Sequence, residues 1–153
     1  MFDISEQKQR QSSWQYVSQK NGIITASESK LGYETDKMDL DESASEYWKS
    51  STNFQQSIII KFSDSVTIDG FQTIIPDKFS NSAFKDYSFL TSYDDGSTWT
   101  HVIDGNRSKD CCFPEATYFS PIIGWMFNLS LLSNWGEKFY AIQSLKLSFI
   151  EGM

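Results

Sequence analysis

From Gly22 onward the apolar positions recur with a period of two or in short unbroken runs, so the chain reads as β structure. Residues 23–26 (IITA) predict a short strand. The run 57–62 (SIIIKF) is close to continuously apolar, as in a strand covered on both faces. The next run, 66–75 (VTIDGFQTII), changes phase at Gly70, which is what a β-bulge does. Tyr87, Phe89, Thr91 and Tyr93 alternate; Asp94-Asp95-Gly96-Ser97 follows; then Trp99, His101 and Ile103 alternate. Two alternating runs about a short Asp/Gly turn predict a hairpin. Trp125, Phe127, Leu129 and Leu131 form another alternating set, and Leu145, Leu147 and Phe149 close the chain. Turn chemistry recurs at Pro76-Asp77, Asp104-Gly105-Asn106 and Asn134-Trp135-Gly136. No long stretch carries an apolar stripe of helical period. The pattern predicts an all-β, antiparallel sandwich or barrel. Residues 28–47, acidic and serine-rich, predict a long loop. The first twenty or so residues are polar apart from Trp14, Tyr16 and Val17, and fit a short helix or an extended arm equally well.

Composition narrows the class. The 153 residues amount to one domain, long enough to bury roughly 70% of its unfolded surface without disulfide support. An aromatic content of 16% argues against disorder. Lys plus Arg is 13 and Asp plus Glu is 20, so the formal net charge is −7. With no basic run, nucleic acid and anionic lipid are both disfavoured as partners. No apolar run approaches membrane-spanning length. The opening residues lack the apolar core of a secretory signal, so the expected location is cytoplasmic or within a non-secreted assembly. The adjacent Cys111 and Cys112 are expected to be free thiols in a reducing compartment, because neighbouring cysteines rarely reach the usual disulfide separation. The glycosylation sequons at Asn106 and Asn128 read as chance matches in that setting.

Catalytic chemistry has little to work with. His101 is the single histidine, and it sits in a predicted strand, where a structural role is expected. One His and two vicinal Cys supply no zinc-ligand spacing. No phosphate-cradling glycine loop is present. Nearly all the carboxylates fall in loops, and no pair stands out for glycoside hydrolysis. The chain is expected not to be an enzyme.

Three segments in order carry more information. Residues 41–50 (DESASEYWKS) lead into the SIIIKF strand. Residues 87–100 (YSFLTSYDDGSTWT) form the hairpin. Phe119-Ser120-Pro121 precedes the WMFNLSLL strand, the NWGEKFYAI turn and a closing strand. This order resembles the discoidin-like family, which includes coagulation-factor C-type domains and galactose-binding-like carbohydrate modules. The resemblance covers about residues 22–150. It implies an antiparallel jelly-roll β-sandwich of about eight strands over residues 22–153, preceded by a short N-terminal arm, residues 1–21. It also implies buried tryptophans at Trp48 and Trp99. Family members often hold a structural Ca²⁺ beneath the first loop. By position its ligands here would be the Met38 carbonyl, Asp41, Ser43 and Glu46, with Ser144 where the family has a carboxylate. Two of the usual side-chain types are thus changed, and a hard cation needs six to eight oxygens.

The family meets its ligands through loops at one end of the sandwich. The corresponding loops are 28–40, 51–56, 77–86, 104–114 and 132–138. Sugar recognition needs an aromatic face and planar polar partners, and the loop residues of that kind are Tyr33, Asn53, Asn81, Phe84, Arg107 and Trp135. Trp135 is either a loop anchor or an exposed stacking platform. The family's frequent Arg in the penultimate strand falls near Asn128. Two functions follow. One is a carbohydrate-binding, lectin-like module. The other is a protein–protein interaction subunit docking within a larger assembly, without sugar binding.

Overall fold

The structure is a computed structural model that describes residues 11–39 and 46–151. In it, the two apolar runs on either side of Ser63 join as one long strand. The strands are β1 (Gln11–Tyr16), β2 (Gly22–Ala26), β3 (Trp48–Lys49), β4 (Gln56–Ile74), β5 (Asp86–Ser92), β6 (Thr100–Asn106), β7 (Glu115–Leu131), β8 (Ala141–Ile142) and β9 (Ser144–Glu151). Among the described residues the helical elements are short 3-10 turns, Val17–Lys20, Thr35–Met38 and Ser80–Ser82. All pairings are antiparallel.

β4 and β7 set the architecture. They pair along their whole length, with register shifts between Lys61 and Val66 and between Ile68 and Gly70. The second shift is the irregularity that the phase change at Gly70 predicts; a Cβ there would come within 2.7 Å of the Thr117 carbonyl. The ribbon bends over at these points. Its first layer has β2 beside Gly22-paired Phe62 and its neighbours, and β5 beside the C-terminal half of β7, with β6 beyond. Its second layer has β9 beside the C-terminal half of β4, and β1 beyond β9. β3 and β8 form a separate pair.

The alternating aromatics face one another across the layers. Phe71 of β4 stacks on Phe89 of β5 at 5.1 Å between centroids, and Phe119 stacks on Phe89 at 5.4 Å. Phe62 meets Phe127 and Phe149 edge-on. Ile58, Ile60, Leu129, Leu131, Leu145 and Leu147 fill the rest, all wholly buried. Trp48 is wholly buried too, with its indole N–H donated to Ser29 Oγ at 3.0 Å. Trp99 departs from expectation: it is half-buried and lies just before β6 rather than in the core. There it packs over the hairpin loop, near Gly96 together with Met126.

The N-terminal residues described belong to the sandwich. β1 pairs with β9 from Gln11↔Glu151 to Tyr16↔Lys146, and Val17 enters the core. Because β4 folds back on itself, both its termini lie at the same end of the sandwich. That end carries the loops before β4, after β4, after β6 and after β7. The β5–β6 hairpin lies at the other end, where Asp95 pairs with Lys61 at 2.8 Å.

Candidate functional site: the loop end

The loops at this end are tied to one another through the main chain. Lys85 N donates to Ser133 O (2.6 Å) and Arg107 N to Lys85 O (2.8 Å). Cys112 N donates to Ile75 O (3.2 Å) and Glu137 N to Asn81 O (3.3 Å). Asn53 Nδ2 donates to Glu137 O at 3.3 Å. The turn after β7 is organised by Asn134. Its Oδ1 accepts from Gly136 N (3.0 Å), and its Nδ2 donates to Glu137 O (3.0 Å) and Phe139 O (2.9 Å). Gly136 takes a φ of +119°, a conformation that favours glycine.

Trp135 projects from this turn. Its indole N–H donates to Arg107 O at 3.0 Å, while the side chain retains 36% exposure. The nitrogen of Trp135 is thus anchored while the residue keeps part of its surface open to solvent. Lys85 Nζ stands 4.8 Å from the ring centroid, where the ring's negative face attracts it.

The other candidate residues divide. Asn53 and Asn81 are exposed and joined through Glu137. Tyr33 is half-buried and already has a cationic partner. Lys49 Nζ lies 5.4 Å from its ring, 5.5 Å from Phe79 and 4.1 Å from Phe139. Phe84 is a correction: it is fully buried, packed edge-on against Tyr87, because its backbone bridges to Asn134 and turns the ring into the core. Arg107 is a second correction. Only 3% exposed, its guanidinium donates to Thr73 Oγ1 (2.6 Å), Thr73 O (2.9 Å), Ser108 O (2.9 Å) and Asp110 O (3.3 Å). Burial draws its pKa below the usual Arg value, partly offset by Glu115 and Asp110. It braces the loop end, with four of its five N–H donors committed to Thr73, Ser108 and Asp110.

Sequence reasoning missed several residues here. Glu28 accepts from Thr52 N (2.8 Å), Thr52 Oγ1 (2.7 Å) and Gln56 Nε2 (3.1 Å). These bonds, the Thr52 hydroxyl above all, hold its carboxyl below the usual range. Phe54 is 74% exposed, and its signal was in plain view as the one large apolar residue in the loop STNFQQ. Lys85 carried no signal, because only the fold brings it beside Trp135.

The cysteines are a third correction. Cys111 and Cys112 form a disulfide with a Cα–Cα distance of 3.8 Å. Any trans peptide sets its neighbours this far apart; here the second cysteine, Cys112, takes a left-handed φ of +79°.

Of the suggested cation ligands, Asp41 and Ser43 lie outside the described residues. Met38 is buried and Glu46 exposed. Among the described residues no three His, Cys, Asp or Glu side chains gather around a metal-sized site. Asn128, where the family often has Arg, sits mid-strand between Ile59 and Leu90 and away from the loop end. His101 Nδ1 is 3.0 Å from Asp104 Oδ1, with both side chains exposed. Ser88 also bonds to Asp104, and the two partners lower the Asp104 pKa, Ser88 foremost. The carboxylate thus stands between hydroxyl and imidazole, an order unlike the Ser–His–Asp triad, in which the imidazole takes the middle place.

Comparison with known proteins now places the chain. The family model described as F5/8 type C domain matches residues 23–142. The chain belongs to this family. Solved structures agree on the jelly-roll sandwich. One is the family 32 carbohydrate-binding module of NanJ from C. perfringens, in complex with galactose. It is 14% identical, with a TM-score of 0.76, covering 90% of this chain and 99% of that one. A second is the module CpGH89CBM32-5 from Clostridium perfringens, in complex with GalNAc-β-1,3-galactose. It is 18% identical, with a TM-score of 0.75, covering 88% and 99%. A third is a chitosan-binding module of a chitosanase/glucanase from Paenibacillus sp. IK-5, at 18% identity, TM-score 0.71 and 89% and 99% coverage. No curated protein matches the sequence. Among the described residues this F5/8 type C domain has nine strands where about eight were expected, the two-residue pair β3–β8 included.

Proposed function

We propose that this F5/8 type C domain is a non-catalytic carbohydrate-binding module whose ligand face is the loop end around Trp135. The observation that carries the reading is Trp135 itself. An aromatic ring is partly open to solvent, its nitrogen is fixed by the Arg107 carbonyl, and exposed amides of Asn53 and Asn81 share the same end. Sugars present apolar C–H faces and hydroxyl rims, which such a ring and such amides match. Structural neighbours seen with galactose and with GalNAc-β-1,3-galactose support the ligand class. A glycan array with wild type and Trp135→Ala tests it. Retention of a glycan by wild type, lost at least tenfold in the variant without loss of folding, supports the reading; silence of wild type across the array removes it.

A second reading rests on apolar exposure. Phe54 and Phe113, exposed by 74% and 78%, lie in loops of the same end and suit a protein partner. Co-purification of a stable partner, abolished by Phe54→Ser with Phe113→Ser, would favour it. A structural Ca²⁺ held by the segment from Met38 to Glu46 is a further part of the proposal. Ligand linkage requires a rise in Tm with Ca²⁺ over chelator if that segment binds, and no rise at millimolar Ca²⁺ removes the cation.

A further inference from the structure

The segment between β6 and β7, residues 107–114, touches more of the loop end than any single side chain does. At its start Arg107 N donates to Lys85 O, and Arg107 O accepts the Trp135 indole. Ser108 N and Oγ donate to the Glu115 carboxylate, while the Ser108 and Asp110 carbonyls accept from the Arg107 guanidinium. At its far side Cys112 N donates to Ile75 O, and Phe113 N to Cys111 O at 2.9 Å. The Cys111–Cys112 disulfide closes a small ring in this segment and holds Cys112 in the left-handed region, which L side chains rarely adopt. Cys111 is half-buried and Cys112 exposed, so a thiol has access to the sulfurs.

We propose that the Cys111–Cys112 pair is a redox-modifiable site that sets the order of the loop end. As a disulfide it holds residues 108–113 in place beside Trp135; a dithiol reductant opens it and loosens them. In the opening step a thiolate of the reductant attacks one cysteine sulfur. The S–S bond breaks and a mixed disulfide forms. The reductant's second thiol then displaces that sulfur, leaving two cysteine thiols and the reductant as its own disulfide. Two electrons and two protons pass from reductant to protein. Without the ring, Cys112 relaxes out of the left-handed region and its N–H leaves the Ile75 carbonyl. Arg107 stays anchored through Thr73, so the change falls on residues 108–113, next to the Arg107 carbonyl that holds Trp135. The consequence for glycan capture rests on the proposed function; the redox site does not.

The test compares the full chain oxidised and after dithiothreitol. Phenylarsine oxide, which bridges two neighbouring thiols, should bind one equivalent only after reduction. Amide exchange at residues 108–113 should accelerate about tenfold on reduction, as it should in Cys111→Ser/Cys112→Ser under either condition. Glycan affinity should fall about three- to tenfold. Arsenical uptake before reduction, or exchange that reduction leaves unchanged, overturns the proposal. Accelerated exchange with no glycan retained in either state supports the redox site and instead removes the glycan reading. Glycan binding of equal affinity in both states overturns its role in capture.

Discussion

The Trp135 indole N–H donates to the Arg107 main-chain carbonyl at 3.0 Å, so the open aromatic of the loop end is tied to a residue whose own side chain is buried. Trp135→Phe keeps a ring but deletes this donor. We expect a loss of about 0.5–1.5 kcal/mol in urea unfolding, the usual worth of one hydrogen bond. Glycan affinity should fall less than in Trp135→Ala. Equal losses in both variants would mean that the donor, rather than the ring face, matters to the ligand.

Arg107 carries the more severe prediction. Its guanidinium makes four hydrogen bonds, two of them to Thr73. Arg107→Ala leaves the Thr73 carbonyl and two loop carbonyls without their donor. The expected cost is about 2–4 kcal/mol, read from denaturant midpoints at unchanged m-value. Arg107→Lys should recover only part of it, since an ammonium cannot span the same acceptors. A near-neutral Arg107→Ala would show that water replaces the guanidinium.

The core of this domain was legible in the sequence and its loop end only in part, for a physical reason. Alternation reports which side chains leave water, so Phe89, Phe127, Leu129, Leu147 and Phe149 could be assigned to an interior before any fold was known. The bulge at Gly70 was readable because it breaks that alternation. Loops have no such period. Phe84 and Arg107 have the composition of contact residues, yet one is turned inward by its bridge to Asn134 and the other is drawn in by Thr73. Those partners are 50 and 34 positions away, beyond local pattern. The vicinal disulfide was misread because its feasibility depends on one backbone angle, at Cys112.

Phe84 offers a direct check on that inward turn. Phe84→Ala should destabilise the domain by about 3–5 kcal/mol, the range for a buried aromatic. Phe54→Ala, at an exposed position of the neighbouring loop, should change stability by less than about 0.5 kcal/mol. Thermal or urea unfolding of the two variants side by side suffices. If Phe84→Ala alters binding and leaves stability intact, the ring belongs to the surface.

The hairpin loop opposite the loop end around Trp135 carries the pH prediction. Asp94 Oδ1 accepts from Thr98 N (2.8 Å) and Ser92 Oγ (2.8 Å), and Oδ2 from Thr98 Oγ1 (2.6 Å). These bonds favour the charged carboxylate, Thr98's hydroxyl most, and lower its pKa from 3.8 to about 2. A carboxyl whose pKa is lower folded than unfolded binds fewer protons in the native state. Its stabilising contribution is therefore complete above the unfolded value of 3.8 and fades as pH falls towards about 2. A carboxyl-detected NMR titration of Asp94 should show a midpoint near the lower value in wild type. In Thr98→Ala the midpoint should rise towards the ordinary Asp range, and the loss of stability between those two pH values should become shallower. A wild-type midpoint at the ordinary value would mean that the loop bonds do not select the ionised form. The Asp-Gly turn that identifies the hairpin in the sequence would then owe its shape to Asp95 and Gly96 alone, whose φ angles of +59° and +88° set the reversal.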